Sequence, residues 1–368
     1  MRKAAIVLPT YNEAGSVEQV VNEIFAQEKK NPNWEIHAVV VDSESPDGTD
    51  QKVRRLMKKF PRLHLLSTKK EGLGKAYIHG FHYVLDKLNP YLILEMDGDM
   101  QHDPREISNF IRKIEKGADF VIGARYIKGG SIPKDWKWHR KLFSILGNAI
   151  VRFGFMKLKI HDWTGGYRAI KAWVVKGALQ HVKSYSGYVF QIAILDNAIK
   201  SKAVINEIPI QFNTRRTGKS KINSLQYIIS IFLYIFLHSS FIKYALVGGI
   251  GFVIDFAISY LLIERSHFIL WKATLISTET AIISNFILNN FWSFSHKRLE
   301  HNLKSYIPNF LKFNLISSGA VIIQTVGVQL LANIFGRKLW YVYKVILIIF
   351  IIIPYSYILY NKFIWKEK

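Results

Sequence analysis

Asp97 and Asp99 flank Gly98 at the end of an apolar run, and Gln101 and Asp103 follow within a few positions. Such a run reads as a buried parallel strand whose carboxyl end opens into a cleft, where open α/β sheets hold their ligands. The glycine lets the backbone turn sharply, and the two carboxylates can then aim hard oxygen donors at one divalent cation, Mn2+ or Mg2+. A cation held in that way binds a diphosphate. An acidic pair at a strand end is also a common turn former or helix cap, so the surrounding chain has to decide between the two readings.

Composition narrows the choice. Of the 368 residues 49% are apolar, enough for about two domains with real cores, and the formal charge is +23. A balance that basic points to phosphate, carried by nucleic acid or by anionic lipid. The apolar residues concentrate after Ile222 in blocks interrupted by few charges, which is a membrane profile, and the basic residues flank those blocks rather than lining an aromatic-rich groove, so nucleic acid is not the expected partner. There is no cysteine, which excludes a disulfide framework, a thiol nucleophile and a zinc-thiolate site. Met1, Arg2 and Lys3 lead directly into a strand-like run, so no signal peptide is expected and the N-terminal half stays on the side where it was made.

The elements that must position the acids alternate. Strands are expected at residues 5–8, 36–41, 63–67, 91–96, 119–123 and 204–209. Helices are expected at 17–27, opened by a capping box of Ser16 and Gln19, and at 50–60, 76–88, 104–116 and 189–200. Polar loops follow the strands at their carboxyl ends: Pro9 to Glu13, Asp42 to Thr49, and Asp97 to Asp103. This order predicts a doubly wound, mainly parallel sheet. Gly72, Gly74 and Lys75 are too closely spaced for a P-loop.

Residues 137–156 differ from the other helical stretches. Trp138, Leu142, Ile145, Leu146, Ala149, Ile150 and Phe153 share one face, and Arg140, Ser144, Asn148 and Arg152 follow one another on the other. A basic amphipathic helix with Trp and Phe on its apolar side suits a membrane surface; packing on its own domain is the plainer alternative. The stretch 214–221, with Arg215, Arg216, Lys219 and Lys221 around Gly218, is either a phosphate-wrapping loop or a positive stop before the membrane. Residues 222–237 are apolar with a narrow polar stripe and are placed in the interface plane. The blocks 241–263, 268–294, 310–335 and 339–365 each reach the roughly 20 residues a spanning helix needs. Four spans put the basic loop 296–304 and the basic tail on the side of the N-terminal domain, as the positive-inside rule requires. Polar residues within the blocks, Asp255, Glu279, Asn285, Asn289 and Asn290, read as interhelix contacts or as the lining of a polar cavity.

Taken together, Pro9, Tyr11 and Glu13, the acidic turn at Asp42, the Asp97-Gly98-Asp99 and Gln101 group, Gly123 to Tyr126, Asp162 to Arg168, and Arg215 to Lys221 resemble family-two GT-A glycosyltransferases. Their order is most similar to dolichyl-phosphate mannose synthases over residues 1–221. The run from Asn285 to Phe294 resembles GtrA-like four-helix membrane domains. The resemblance implies three segments: a GT-A catalytic domain over 1–221, an interface helix over 222–238, and four transmembrane helices over 239–368. It implies an inverting, metal-dependent transfer of mannose from GDP-mannose to a polyprenyl or dolichyl phosphate. By position, Pro9, Tyr11, Glu13, Val41, Asp42 and Ser43 would hold the nucleoside, and Asp97, Asp99 and Gln101 the metal. Arg215 and Lys221 would close over the diphosphate, Arg125, Arg140 and Ser144 would hold the lipid phosphate, and Asp162 would orient an arginine or the acceptor, or else only cap the turn at Thr164. Where the family has two adjacent acids this chain has Asp42 and Ser43, which leaves a UDP-glucose-dependent polyprenyl-phosphate glucosyltransferase as the alternative. A lipid-linked sugar flippase carrying a nucleotide-binding domain is a second alternative. The catalytic half and the C-terminus are expected on the cytoplasmic side of a multi-pass protein, with no obligate protein partner.

Overall fold

The computed structural model describes residues 1–183, 185, 187–214 and 224–366. The chain divides into two compact units, residues 1–153 with 157–234, and 154–156 with 235–368.

The first unit is built on seven strands: β1 (Arg2–Thr10), β2 (Trp34–Asp42), β3 (Leu63–Ser67), β4 (Leu92–Glu95), β5 (Phe120–Ala124), β6 (Arg168–Lys171) and β7 (Ile205–Pro209). They lie in the order β3-β2-β1-β4-β6-β5-β7. All pairings are parallel except those of β6, which runs antiparallel between β4 and β5. The expected α/β architecture is therefore present, with one departure: β6, read in the sequence only as part of a polar motif, is the central antiparallel strand. Helices α1 (Val17–Ala26), α2 (Thr49–Met57), α3 (Leu73–Tyr83), α4 (Ile107–Glu115), α5 (Trp138–Gly154), α6 (Ala172–Val182) and α7 (Gly187–Lys200) connect the strands.

Both faces of the sheet are covered, so its strands read as continuous apolar runs rather than as alternation. Ala4, Ile6 and Leu8 of β1 pack with Val20, Ile24 and Phe110 in one core, while Val7 faces α3 on the other side. That second contact depends on Gly80: a Cβ there would sit 2.4 Å from Val7 Cγ1. One local expectation fails. Ser16 makes no capping hydrogen bond at the start of α1, because its hydroxyl is turned to Gly98 O at 2.8 Å and Glu13 Oε2 at 3.0 Å, tying two site loops together.

The second unit is helical. α8 (Ser224–His238) runs across the boundary between the units, and α9 (Ser240–Tyr260), α10 (Leu270–Leu288), α11 (Leu303–Phe335), α12 (Trp340–Leu347) and α13 (Ile353–Phe363) follow. Among the described residues three helical stretches are long and apolar enough to cross a membrane: Ser240–Arg265, Leu303–Phe335 and Val342–Phe363. α10, the fourth expected span, falls short of that criterion because Lys272, Thr274, Ser277, Thr278, Glu279, Thr280 and Ser284 interrupt it. Its polar side is partly satisfied by α9, since Ser277 donates to Asp255 Oδ1 at 2.6 Å and Thr278 at 3.2 Å. The contact role expected for Asp255 is thus present. Asn290 accepts from Leu299 N and from Trp365 Nε1, and Trp365 stacks on Phe294 with ring centroids 4.5 Å apart.

Candidate active site

The carboxyl ends of β1, β2 and β4 carry the first group of expected residues. Asp42 is buried, and both of its carboxylate oxygens are engaged inside the protein: Oδ1 accepts from Thr10 Oγ1 at 3.0 Å and Ser45 Oγ at 2.6 Å, and Oδ2 from Ser45 N at 2.9 Å. Asp42 therefore braces the turn that follows β2, with Val41 and Ser43 buried on either side. Ser43 N is bonded to Thr10 O, next to Pro9. Glu13 is buried and its N–H donates to Thr49 Oγ1, while the Lys70 ammonium lies 3.8 Å from the centre of the Tyr11 ring. Sequence reading did not single out Thr49 or Lys70.

Asp97 and Asp99 follow β4 directly. Asp97 has a side chain 30% exposed and Asp99 is 2% exposed, with its Oδ1 accepting from Gln101 N at 3.0 Å. Gly98 lets this turn lie against β1, since a Cβ there would come 2.8 Å from Thr10 Cγ2. The Asp97 N–H donates to His102 Nδ1 at 3.0 Å. Burial holds the His102 pKa down at about 4, so the ring is neutral and its 3.7 Å approach to the Asp97 carboxylate is not an ion pair. Gln101 is buried, and its amide donates to Asn213 O at 3.1 Å, linking the acidic turn to the segment that enters the basic stretch. Arg215 and Lys221 lie outside the described residues.

Among the described residues no three His, Cys, Asp or Glu side chains form a group that could hold a metal. Two carboxylates of unequal exposure are nevertheless the donor set a Mg2+ or Mn2+ ion uses when substrate phosphates complete its shell, so Asp97 and Asp99 fit a cation that arrives with a diphosphate.

The second group is centred on Arg125, at the end of β5. Its Nε and Nη2 donate to Asp162 Oδ2 and Oδ1, both at 2.7 Å, its backbone N–H also donates to Oδ2, and Nη2 reaches Thr164 Oγ1 at 3.0 Å. Burial pushes the fully buried Asp162 carboxyl up, but the Arg125 charge and hydrogen bonds outweigh it and hold the group below the usual carboxylate range. Asp162 thus pairs with an arginine and also accepts from Gly165 N at 3.0 Å, capping the turn at Thr164. Gly165 suits this place, because a Cβ would press on the carboxylate at 3.2 Å. Glu207 of β7 accepts from the N–H groups of His161 and Asp162 and fixes the same turn.

Helix α5 closes this region with its polar face. Ser144 shares a 2.6 Å hydrogen bond with the Tyr126 hydroxyl, and Asn148 accepts from Trp163 N at 2.7 Å and donates to Thr164 Oγ1 at 3.1 Å. The Arg140 guanidinium lies over the Trp136 ring at 3.9 Å. Outward, Trp138, Leu142, Ile145, Leu146 and Phe153 are exposed. The structure therefore brings Arg125, Asp162 and Ser144 into one network and adds Tyr126, Asn148, Thr164 and Glu207. Asn148 was visible in the sequence as a member of the polar stripe, and Tyr126 and Thr164 as members of quoted motifs; Glu207 carried no signal, because its partners His161 and Asp162 are 46 and 45 residues away in the chain.

Comparison with known proteins gives the following. A family model described as Glycosyl transferase family 2 matches residues 5–176, and one described as GtrA/DPMS, transmembrane domain matches residues 243–365. The chain is 35% identical over 224 residues to the polyprenol monophosphomannose synthase of Mycolicibacterium smegmatis, covering 60% of this chain and 82% of that one. It is 31% identical over 331 residues to the dolichol-phosphate mannosyltransferase of Pyrococcus furiosus, covering 87% and 88%. Among solved structures it is similar to a glucosyl-3-phosphoglycerate synthase from Mycobacterium tuberculosis, with TM-score 0.47 and 15% identity over 64% of this chain and 78% of that one.

Proposed function

The chain belongs to the dolichyl-phosphate mannose synthase-like branch of glycosyl transferase family 2 that ends in a GtrA/DPMS transmembrane domain, and from that premise we propose that it transfers mannose from GDP-mannose to a polyprenyl phosphate at the membrane surface. The observation that carries this reading is α5: one helix turns Ser144 and Asn148 to the Arg125–Asp162 network and turns its Trp, Leu, Ile and Phe side chains outward. A soluble acceptor needs no such helix; a lipid acceptor needs its phosphate held at the depth of a headgroup.

In the proposed reaction the anomeric carbon loses its bond to the diphosphate and gains one to an oxygen of the lipid phosphate in a single displacement, with inversion, releasing GDP. Asp97 and Asp99 would hold a divalent ion that neutralises charge on the departing diphosphate. Pro9, Tyr11, Glu13, Val41 and Ser43 would line the nucleoside pocket over the Asp42 floor, and Arg215 and Lys221 would complete the cationic cover of the diphosphate. The acceptor, a phosphate monoester, is already anionic near neutral pH, so no strong base is required. Arg125, held by Asp162, and Arg140 and Ser144 on α5 would orient its oxygen, and orientation is a large part of such a barrier. With α10 taken as a fourth span, the catalytic unit and the C-terminus both lie on the cytoplasmic side.

The test uses the purified full chain in nanodiscs with Mn2+ or Mg2+, polyprenyl phosphate and labelled GDP-mannose or UDP-glucose. Mannose should appear in a lipid-extractable product, and Asp99→Ala should lower that rate by about 10²–10³-fold, the scale for removing a principal electrostatic contact to the transition state, while the protein remains folded. Product from UDP-glucose alone would replace the mannosyl reading by the glucosyl one, and no lipid-extractable product from any donor would refute both.

A further inference from the structure

Behind the acidic turn, between β4, α3 and α7, lies a set of buried polar side chains that the reaction above leaves without a role. Glu95, Tyr77 and Arg168 are fully buried and Gln191 is 1% exposed. Among the described residues Tyr77 Oη and Arg168 Nε have no hydrogen-bond partner, and the Glu95 carboxylate and the Gln191 amide have none beyond each other. Arg168 spends its other nitrogens on main chain, donating to Gln191 O at 2.5 Å and Trp163 O at 2.7 Å. Glu95 and Arg168 stand opposite each other in the β4–β6 pairing, and burial, only partly offset by that arginine, raises the Glu95 carboxyl to about 7. An unmade hydrogen bond in the interior costs about 1–3 kcal/mol. So many polar atoms short of partners in one place call for a group that both donates and accepts.

Position identifies which ligand. Glu95 is two residues ahead of Asp97, and Gly166 follows the Asp162 turn. A Cβ built on Gly166 would lie 3.7 Å from Gln191 Nε2 and 3.8 Å from His102 Cε1, the ring that accepts from Asp97 N. Gly166 is not among the glycines with positive φ, so its backbone does not demand glycine. What the missing side chain leaves is room for about one methyl group between the Gln191 amide and the His102 ring that meets the acidic turn. In hexosyl transfer the sugar must sit between the diphosphate, at Asp97 and Asp99, and the acceptor phosphate, at Arg125. A primary amide, with two donor hydrogens and an acceptor oxygen, matches a pair of neighbouring sugar hydroxyls.

We propose that Gln191, approached past Gly166 and backed by Glu95, Tyr77 and Arg168, reads the hydroxyls of the transferred hexose and sets which sugar is accepted. This rests on the hexosyl-transfer reading and adds to it a sugar-specificity element. A site that hydrogen-bonds a hydroxyl rejects a donor whose hydroxyl points elsewhere, because the site's own buried groups are then left unpaired.

The experiment measures binding, so it does not depend on turnover. The purified full chain with Mn2+ is titrated calorimetrically with GDP, GDP-mannose and GDP-glucose, which differ only in the sugar or its C2 configuration, or with the uridine counterparts if those are the donors used. Gln191→Leu is expected to weaken the favoured nucleotide sugar about tenfold, the scale of one lost hydrogen bond with its partner left buried, and to flatten the preference between epimers, while GDP itself binds within about twofold of wild type. Gly166→Ala, which keeps the amide and fills the approach, should shift affinities in the same direction, and its ordinary contacts leave the melting temperature unchanged. Equal losses for GDP and nucleotide sugar, or an unaltered epimer preference, would overturn the inference and leave the cluster as a site for internal water only. Wild type that binds nucleotide sugar no better than GDP would also overturn it. Sugar binding as expected but no lipid product would refute the lipid-acceptor reading and leave this site standing.

Discussion

Two helices of the first unit, α4 and α5, each carry an apolar stripe and use it in opposite directions. Ile107, Phe110, Ile111 and Ile114 of α4 are buried against the sheet, as expected for a helix that covers a parallel sheet. On α5 Asn148 is buried, at 3%, together with Val151, while Trp138 is 76% exposed and Phe153 61%. An amphipathic period therefore specifies two faces but not which one points inward. On α5 the polar face points inward because Arg125, Asp162, Thr164 and Tyr126 form a polar surface with hydrogen bonds to complete, and an apolar face laid there would leave them unsatisfied.

The sharpest way to test the contrast is to damage each inner face. Phe110→Ala on α4 should lower the unfolding free energy by about 3–5 kcal/mol, the scale of an aromatic truncation in a packed core, with no change in the ratio of acceptor to donor KM in protein that remains folded. Asn148→Leu on α5 should be milder for stability, about 1–3 kcal/mol for Trp163 N left without its partner, but should raise KM for polyprenyl phosphate more than KM for the nucleotide sugar. Equal rises in both constants would mean that α5 merely covers the domain. Ile145→Glu, on the outer face of α5, should change the melting temperature by less than the equivalent of about 0.5 kcal/mol, yet raise KM for the lipid acceptor in vesicles. Since the chain has no cysteine, Ile145→Cys carrying an environment-sensitive dye gives a direct reading: a blue shift on adding anionic vesicles supports contact with lipid, and an unchanged spectrum removes it.

The smallest effect is expected far from both helices, at the β2–β3 edge. There Tyr83 Oη lies 3.3 Å from His64 Nδ1, His64 Nε2 lies 3.2 Å from His37 Nδ1, and His37 Nε2 lies 2.6 Å from Glu35. Burial, with His37 alongside, lowers the His64 pKa below its ordinary 6.5. The folded state therefore prefers the neutral ring, and stability should fall as pH drops through the unfolded value of about 6.5. The melting temperature measured from pH 7.5 to 5.5 should decline less steeply in His64→Phe than in wild type; identical slopes would remove His64 as the cause.

How much of this was legible varies from residue to residue. The strand leading to Asp97 could be read because β4 is buried on both faces and so had to be apolar, and its acids could be read because they interrupt that run. Glu95 sits within the same run and was passed over, although a carboxylate in a strand buried on both faces is itself a signal. β6 was missed because Arg168–Lys171 is four residues long and carries a charge at each end. Asp42 could be recognised as a site-loop residue, but its engagement with Thr10 and Ser45 could not, since side-chain hydrogen bonding in a turn has several solutions of similar composition.

The order of amino acids by itself determined where strands and helices alternate, that acids stand at the carboxyl end of β4, and that the last third of the chain is membrane-like, because hydrophobic period and local turn chemistry act over a few residues. Only the tertiary structure decided that Asp162 belongs to Arg125 across 37 positions, that α5 turns its polar side inward, and that Gln191 comes to lie behind Gly166. Those outcomes follow from the insertion of β6 between β4 and β5, which brings distant segments together, and the energy of buried charges and hydrogen bonds is fixed only once the partners have met.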